Sequence, residues 1–415
     1  MQLGVIADDY TGATDLAGML VRAGFRAIQH LGVPDDGASS DADVVVVALK
    51  SRSIPAAEAV EQSLAAARWL RARSADRLYF KYCSTFDSTD RGNIGPVATA
   101  LADLVGAERV LFAPSVPENG RVVRDGDLFV HGVPLAESPM RDHPINPMRE
   151  SDLRRVLAAQ VDEPVGAVPL AAVRDGAEAV RAAVADAGPR LRIADAETDG
   201  DLDALALALA DAPLLTGAAG LSAALGRVVL TRDAAADALV LPDGPAAVLS
   251  GSCSAATRRQ VALHRAAHPA FEVDVHRIVA GEPVVEEAVA FVAEHLDERP
   301  LVYSSSDPEV VAAVQAELGI EASSLAIEAA FARIAAGIAR EGVRRIVVAG
   351  GETSGAVVNG LGVRALAIGA EVDPGVPWTV ALDGDRVGLL LKSGNFGGDD
   401  IFDRSLDLTE GSVRA

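Results

Sequence analysis

Aromatic residues are scarce, at 4% of the chain, so any interior must be packed mainly from Ala, Val and Leu. Lysine is rarer still: Lys50, Lys81 and Lys392 are the only three, and Arg supplies the remaining positive charge. Two cysteines, Cys83 and Cys253, stand far apart without metal-ligand spacing, which excludes a disulfide framework and reads as free thiols in a reducing compartment. No run of about 18 uninterrupted apolar residues is present, and Met1–Ala7 lacks a basic n-region or cleavage site. A cytoplasmic protein is therefore expected. Two signatures are also missing. There is no Gly-x-x-x-x-Gly-Lys-Ser/Thr loop, and no Gly-x-Gly-x-x-Gly follows the first apolar strand, which argues against P-loop and dinucleotide-dehydrogenase chemistry. Positive charge is short overall. A formal net charge of −22 repels polyphosphate and argues against nucleic-acid and membrane partners, leaving small molecules whose anionic groups need a local basic pocket.

What is present is an alternation of short buried strands and Ala-rich amphipathic helices across 415 residues, enough for two or three domains. Leu3–Ala7, Val44–Leu49, Leu78–Tyr82 and Arg109–Phe112 read as parallel strands, with helices over Thr11–Ala23, Pro55–Arg73 and Ile94–Val105. From Pro114 to Pro147 the pattern gives way to an irregular insert around one strand-like segment, Leu128–Val133, before alternation resumes at Ser151. An Asp/Ala stretch at 231–245 reads as a linker. A second unit, 246–415, then carries strands over Ala246–Ser250, Leu301–Ser304, Arg345–Ala349 and Val387–Leu391. The expected fold is α/β: two domains with mostly parallel sheets, 1–230 and 246–415, and an active-site cleft between them.

Ligands of open α/β sheets bind at the carboxyl ends of strands. The first strand ends in Asp8-Asp9-Tyr10-Thr11-Gly12, and two carboxylates exceed what capping one helix needs. Either could accept a hydroxyl proton, with Asp9 the candidate base and Asp8 holding a substrate hydroxyl. Arg52 and Lys81, at two further strand ends, form a local anion site, the first as a bidentate clamp and the second as a point charge and catalytic cation. Asp87 follows Lys81 closely and is a second carboxylate for the substrate and an alternative base. The insert contributes Asn119, Arg121 and His143 as hydrogen-bond donors to a polyhydroxy acid. In the second unit, three small-residue loops follow strands: Gly251-Ser-Cys-Ser254, Gly350-Gly-Glu-Thr-Ser-Gly355 and Lys392-Ser-Gly-Asn-Phe-Gly-Gly398. Close-approaching amides at helix N-termini suit phosphates. His264 and His268 have zinc-compatible spacing, but with no third ligand nearby in sequence they read as a solvated helix face.

Five of these segments, at 7–15, 81–89, 250–254, 350–355 and 392–397, together resemble the four-carbon acid sugar kinase family across nearly the whole chain. The insert, with Pro-Glu-Asn-Gly-Arg at 117–121 and His-Pro-Ile-Asn-Pro-Met at 143–148, is most similar to the branch acting on 3-oxo-tetronates. One departure is Tyr10, where the family pattern has Phe. The resemblance implies a sugar-acid-binding N-terminal domain and a nucleotide-binding C-terminal domain. ATP contacts are implied at Ser254, Gly350, Gly351, Glu352, Thr353 and Gly394. The implied reaction is phosphorylation of the 4-hydroxyl of 3-oxo-tetronate (3-dehydro-erythronate) by ATP with Mg²⁺, completed by domain closure. A D-threonate or D-erythronate kinase would share the nucleotide loops, and a non-catalytic sugar-acid sensor would leave the paired aspartates without a role. Metal ligands stay open, and a homodimer is the default assembly.

Overall fold

The computed structural model describes residues 1–142, 146–230, 239–305, 317, 319–384 and 386–407. The chain divides into two compact units, Met1–Ala236 and Asp237–Ala415. The linker expected at 231–245 falls largely outside the described residues.

The strands of the first unit are β1 (Leu3–Ala7), β2 (Ala27–Leu31), β3 (Val44–Ala48), β4 (Arg77–Lys81), β5 (Val110–Ala113), β6 (Arg121–Arg124), β7 (Asp127–Val130), β8 (Val133–Pro134), β9 (Val165–Val168), β10 (Leu191–Ala194) and β11 (Leu214–Gly217). Eight of them form a parallel sheet among the described residues, in the order β2-β3-β1-β4-β11-β5-β10-β9. Strands such as Val44–Ala48 are apolar at every position because helices cover both faces of a parallel sheet. Helix Ala56–Ala72 shows the matching pattern: Ala59, Ser63, Ala66, Ala67 and Leu70 are buried at three- and four-residue spacing. β1 lies between β3 and β4, with the chain passing from β1 to β2 on one side and from β3 across to β4 on the other, which favours a crevice at the carboxyl end of β1.

The insert is more regular than its composition suggests. β6, β7 and β8 form an antiparallel sheet. The expected single strand Leu128–Val133 is instead broken at His131-Gly132, where φ values of 50° and 80° make a tight reversal, as Asp125-Gly126 does at 54° and 82°. Two consecutive positive φ angles are the signature of a two-residue hairpin turn.

In the second unit β12 (Ala246–Ser250), β13 (Ala270–Glu272), β14 (Leu301–Tyr303), β15 (Arg345–Ala349), β16 (Ala365–Asp373), β17 (Val376–Ala381) and β18 (Gly388–Lys392) are ordered β13-β14-β12-β15-β18-β17-β16. The first five are parallel. β16 and β17 form an antiparallel hairpin that sequence reading does not separate out, closed at Pro374-Gly375 with Gly375 at φ 73°. Helix Ala322–Arg340 is long and apolar enough on average to cross a bilayer. Its buried face, however, carries Phe331, Ile334, Ala335 and Ile338, while Arg333 pairs with Glu286 at 2.6 Å on an exposed face. That is the pattern of an amphipathic core helix. The expectation for His264 and His268 is corrected: His264 is buried, and both rings contact Asp403, a residue 139 positions from His264 in sequence.

Candidate functional site

Register sets the first site. Ala7 pairs with Ala48 on one side and Lys81 on the other, so the loops after β1 and β3 and the end of β4 lie in one row. The amides of Ser51 and Arg52 donate to the carbonyl of Asp8, at 3.0 and 3.3 Å, and that of Asp8 donates to the carbonyl of Lys81 at 3.1 Å. The row brings four charges together. Arg52 donates from Nε and Nη2 to the two oxygens of Asp8, at 2.9 and 2.8 Å, and again from Nη2 to Asp9 Oδ1 at 2.7 Å. Lys81 Nζ lies 3.6 Å from the same Asp9 oxygen. Asp9 Oδ2 accepts from the amide of Gly12 at 3.2 Å and so also caps helix Tyr10–Arg22.

Burial and charge act differently on the two carboxylates. Burial dominates at Asp8 and raises its pKa despite the Arg52 clamp. At Asp9 burial is outweighed by Lys81 and Arg52, helped by the Gly12 amide, and the pKa is held down at about 2. Lys81 is buried, which disfavours its charge, but Asp9 and Asp8 more than compensate and raise its pKa. The side chain of Lys81 is only 5% exposed whereas those of Arg52 and Asp9 are 21% and 27% exposed, so these two are what a ligand meets. Arg52 Nη1 has no protein partner among the described residues, which leaves one donor edge for a ligand carboxylate.

Asn93 belongs to this site and escapes sequence reading, as does the role of Gly12 within the first loop. The Asn93 amide donates to the carbonyls of Ser51, Arg52 and Ile54, at 2.5, 3.2 and 3.0 Å, and so fixes the loop that carries Arg52. A Cβ at Gly12 would stand 1.9 Å from Lys81 Nζ, so the lysine reaches Asp9 only because that position has no side chain. Neither role has a local signal, since both depend on residues far away in sequence. Tyr10 sits beside the site, with the Lys50 ammonium 5.2 Å from its ring centre.

Asp87 is buried in the loop after β4, where Thr85 Oγ1 donates to it at 2.6 Å. The same hydroxyl is 3.0 Å from Cys83 Sγ. Burial raises the Cys83 thiol pKa, with Arg52 opposing and Asp87 adding to it. Phe86 anchors this loop in the core at φ 54°, a left-handed conformation uncommon for a bulky residue. Asn119 and Arg121 lie together where the turn Pro117–Asn119 meets β6, and Arg121 Nη1 bonds to the Asn119 carbonyl. No hydrogen bond or ion pair joins either to the Asp8–Arg52 cluster among the described residues. His143 lies outside the described residues. Its neighbours in the insert do reach the site loops: Asn146 donates to Ser53 Oγ at 3.4 Å and the Ser88 amide to Met148 Sδ at 3.5 Å.

The second unit repeats the logic of register. Ser250 pairs with Ala349, and Ala349 with Lys392, which aligns the three small-residue loops at the ends of β12, β15 and β18. Ser254 caps helix Ala255–Arg265 and its hydroxyl donates to the Gly394 carbonyl at 2.6 Å, joined there by Thr257 Oγ1 at 2.7 Å. The Gly350 amide donates to the Lys392 carbonyl at 2.9 Å. A Cβ at Gly251 would meet Thr353 Oγ1 at 2.2 Å, and one at Gly394 would meet Ser252 Oγ at 2.4 Å, so the loops are packed to the limit glycine permits. Gly350 is at φ 125° and begins helix Gly351–Gly360. At Gly351 a Cβ would meet nothing, so the approach to that helix N-terminus is open. Ser254, Gly350, Gly351, Thr353 and Gly394 are thus brought together, with Glu352 exposed in the first turn of helix Gly351–Gly360.

Lys392 completes this cradle. It is buried and donates to Thr257 Oγ1 at 3.1 Å and the Gly394 carbonyl at 3.3 Å, with no carboxylate partner among the described residues. Burial lowers its pKa to about 8. A buried ammonium without a counter-ion, beside packed glycine loops and two helix N-termini, calls for an anion. The Ser354 hydroxyl, buried without a partner, is a further unused hydrogen-bonding group there. The residues fit a nucleotide's phosphates.

A doubly wound unit with a paired-carboxylate, Arg/Lys site and a second unit with a phosphate cradle define a two-domain phosphotransferase. Residues 3–225 match the family described as a sugar-binding N-terminal domain, and residues 247–402 that described as a nucleotide-binding C-terminal domain. The chain is 51% identical to a 3-oxo-tetronate kinase of Burkholderia multivorans over 99% of its length and 98% of that protein's. It is 52% identical to one from Methylobacterium radiotolerans over 98% and 99%. The crystal structure of a protein from Salmonella typhimurium LT2, 42% identical, matches with a TM-score of 0.91 over 98% of this chain and 99% of that one. The chain belongs to the four-carbon acid sugar kinase family.

Proposed function

We propose that the protein is an ATP-dependent kinase that phosphorylates the 4-hydroxyl of 3-oxo-tetronate (3-dehydro-erythronate). The observation that carries this reading is full-length likeness, at 51% and 52% identity, to proteins named for that activity. The two sites supply suitable chemistry. In the first unit Arg52 offers Nη1 to the acid's carboxylate, while Lys81 keeps a positive charge beside Asp9. Asp9, as a partly exposed anion, orients the terminal hydroxyl and takes its proton as the oxygen–phosphorus bond forms. Because its pKa is near 2, that proton moves late, when the attacking oxygen has become strongly acidic. Asp8 holds Arg52 in place, Asp87 is assigned as a further carboxylate for the substrate, and Asn119, Arg121 and His143 are assigned to the substrate's oxygens. In the second unit the loops at Ser254, Gly350–Thr353 and Gly394, with Lys392, receive the phosphates of ATP. Mg²⁺ would be held mainly by those phosphates, with Glu352 the carboxylate these loops contribute, and would neutralise charge developing on the transferred group.

The test is ADP release, coupled to a spectroscopic readout, across 3-oxo-tetronate generated in situ, D-threonate, D-erythronate and a blank without acid. Release confined to the keto acid is expected. Release with threonate or erythronate alone would keep the kinase and overturn the substrate, whereas no acid-dependent release by ATP-binding protein would favour a sensor.

A further inference from the structure

The second unit contains a cluster that the kinase reaction does not use. His264, on helix Ala255–Arg265, and His268, just beyond its end, stack with ring centres 4.3 Å apart. Helix Ile401–Leu406 brings Asp403 against both. Asp403 Oδ1 is 2.7 Å from His264 Nδ1 and 3.0 Å from His268 Nε2. The opposite ring nitrogens face backbone carbonyls: His264 Nε2 is 2.9 Å from the carbonyl oxygen of Arg299, and His268 Nδ1 is 3.0 Å from that of Glu298.

A carbonyl only accepts, so each one fixes a ring proton on its own side. In the neutral rings this leaves lone pairs on His264 Nδ1 and His268 Nε2. Both lie within 3.0 Å of one carboxylate oxygen, itself an acceptor, the His264 nitrogen in hydrogen-bond geometry and the His268 nitrogen by proximity alone. Acceptors this close repel unless something positive lies among them. A second ring proton is one answer. A metal ion is the other. Metal-bound histidines commonly have their second nitrogen held by a carbonyl, which is the arrangement seen here twice.

We propose that His264 Nδ1, His268 Nε2 and Asp403 Oδ1 bind a divalent transition cation of the zinc class. These three atoms lie within 4.8 Å of one another, the one such group of three among the described residues. Tetrahedral zinc with bonds of about 2.0–2.1 Å holds its ligands about 3.3 Å apart, so the present 2.7 and 3.0 Å need only a slight spread. His268 and Asp403 are partly exposed, which gives an ion a way in and leaves a fourth position to water. Two imidazoles and one carboxylate suit zinc rather than magnesium. The site is structural. It ties Ile401–Leu406 to the helix whose Gln260 side chain donates to the carbonyls of Phe396, Gly397 and Gly398, at 3.1, 3.0 and 3.1 Å, and so steadies the loop after β18. It stands independently of the kinase reading.

The experiment uses the full chain, stripped by a chelator and titrated with Co²⁺ and then Zn²⁺ without magnesium or nucleotide. One equivalent of Co²⁺ with the visible absorption of a four-coordinate site, displaced by one equivalent of Zn²⁺, is expected, together with a zinc-dependent rise in Tm. His268→Gln and Asp403→Asn should each weaken binding at least roughly 100-fold and abolish the Tm shift. X-ray absorption of the zinc-loaded wild type, which needs no variant to fold, should show two imidazoles in the metal's shell. No stoichiometric uptake by the wild type, a shell without imidazole, or unchanged affinity in a folded His268→Gln protein overturns the site.

Discussion

Asp8 and Asp9 are adjacent in the chain yet differ in environment, and the difference predicts how each responds to mutation. Asp8 is tied to Arg52 through both oxygens, whereas the partly exposed Asp9 shares its Oδ1 between Arg52 and Lys81. Asp9→Asn should therefore lower turnover by about 10²–10⁴ while ATP affinity, measured by titration calorimetry, stays within about twofold. Near-normal turnover would remove Asp9 from the role of base. Lys392 gives a test by pH. Its free-protein pKa is near 8, and a bound phosphate favours the ammonium form. Nucleotide affinity should hold at pH 7 and fall about tenfold per unit as pH rises beyond 8, and Lys392→Met should be weaker and flat over that range. The sign for stability is opposite. The folded state releases this proton more readily than the unfolded one, so Lys392 should make the protein more stable as pH climbs from about 8 toward the ordinary lysine value of 10.5.

Elements constrain each other where backbones come close. Helix Gly351–Gly360 packs on helix Ile320–Arg340 so tightly that a Cβ at Gly360 would lie 2.2 Å from the Ala332 carbonyl oxygen. Replacing a helical glycine by alanine normally stabilises by about 1 kcal/mol. Here the clash is with backbone, which cannot swing aside, so Gly360→Ala should destabilise by about 1–3 kcal/mol in urea unfolding. A gain in stability would show that the two helices are not held this closely. The elements also show what was legible. Continuous apolar runs place the central parallel strands, with Ala246–Ser250 and Arg345–Ala349 found at their expected bounds, and loop composition marks the strand ends that carry Asp8, Arg52 and Lys81. The β6-β7-β8 sheet is only partly legible: Asp125-Gly126 is a favoured two-residue hairpin turn that the polar, Pro-rich composition of the insert overshadows, whereas His131-Gly132 is a less common one. The site roles of Asn93 and Gly12 are hidden because both answer to partners brought near only by the sheet.

For the whole molecule, the acidic surface and the two small basic centres are parts of one design. With a net charge of −22, an anionic ligand is favoured only where positive charge is concentrated locally. Arg52 with the buried Lys81 forms one such centre, and the buried Lys392 forms another. The histidine–aspartate cluster shows the limit of reading along the chain, since the carboxylate that joins His264 is 139 residues away. In the proposed reaction a phosphoryl group passes from ATP to the oxygen on the terminal carbon of a four-carbon keto acid. Phosphorus NMR of the product formed from ATP and 3-oxo-tetronate tests it most directly. A new phosphomonoester resonance, split by the two protons of a terminal CH₂ and appearing in step with ADP, is the predicted result. ADP accompanied only by inorganic phosphate, or an ester on a CH carbon, would contradict the account.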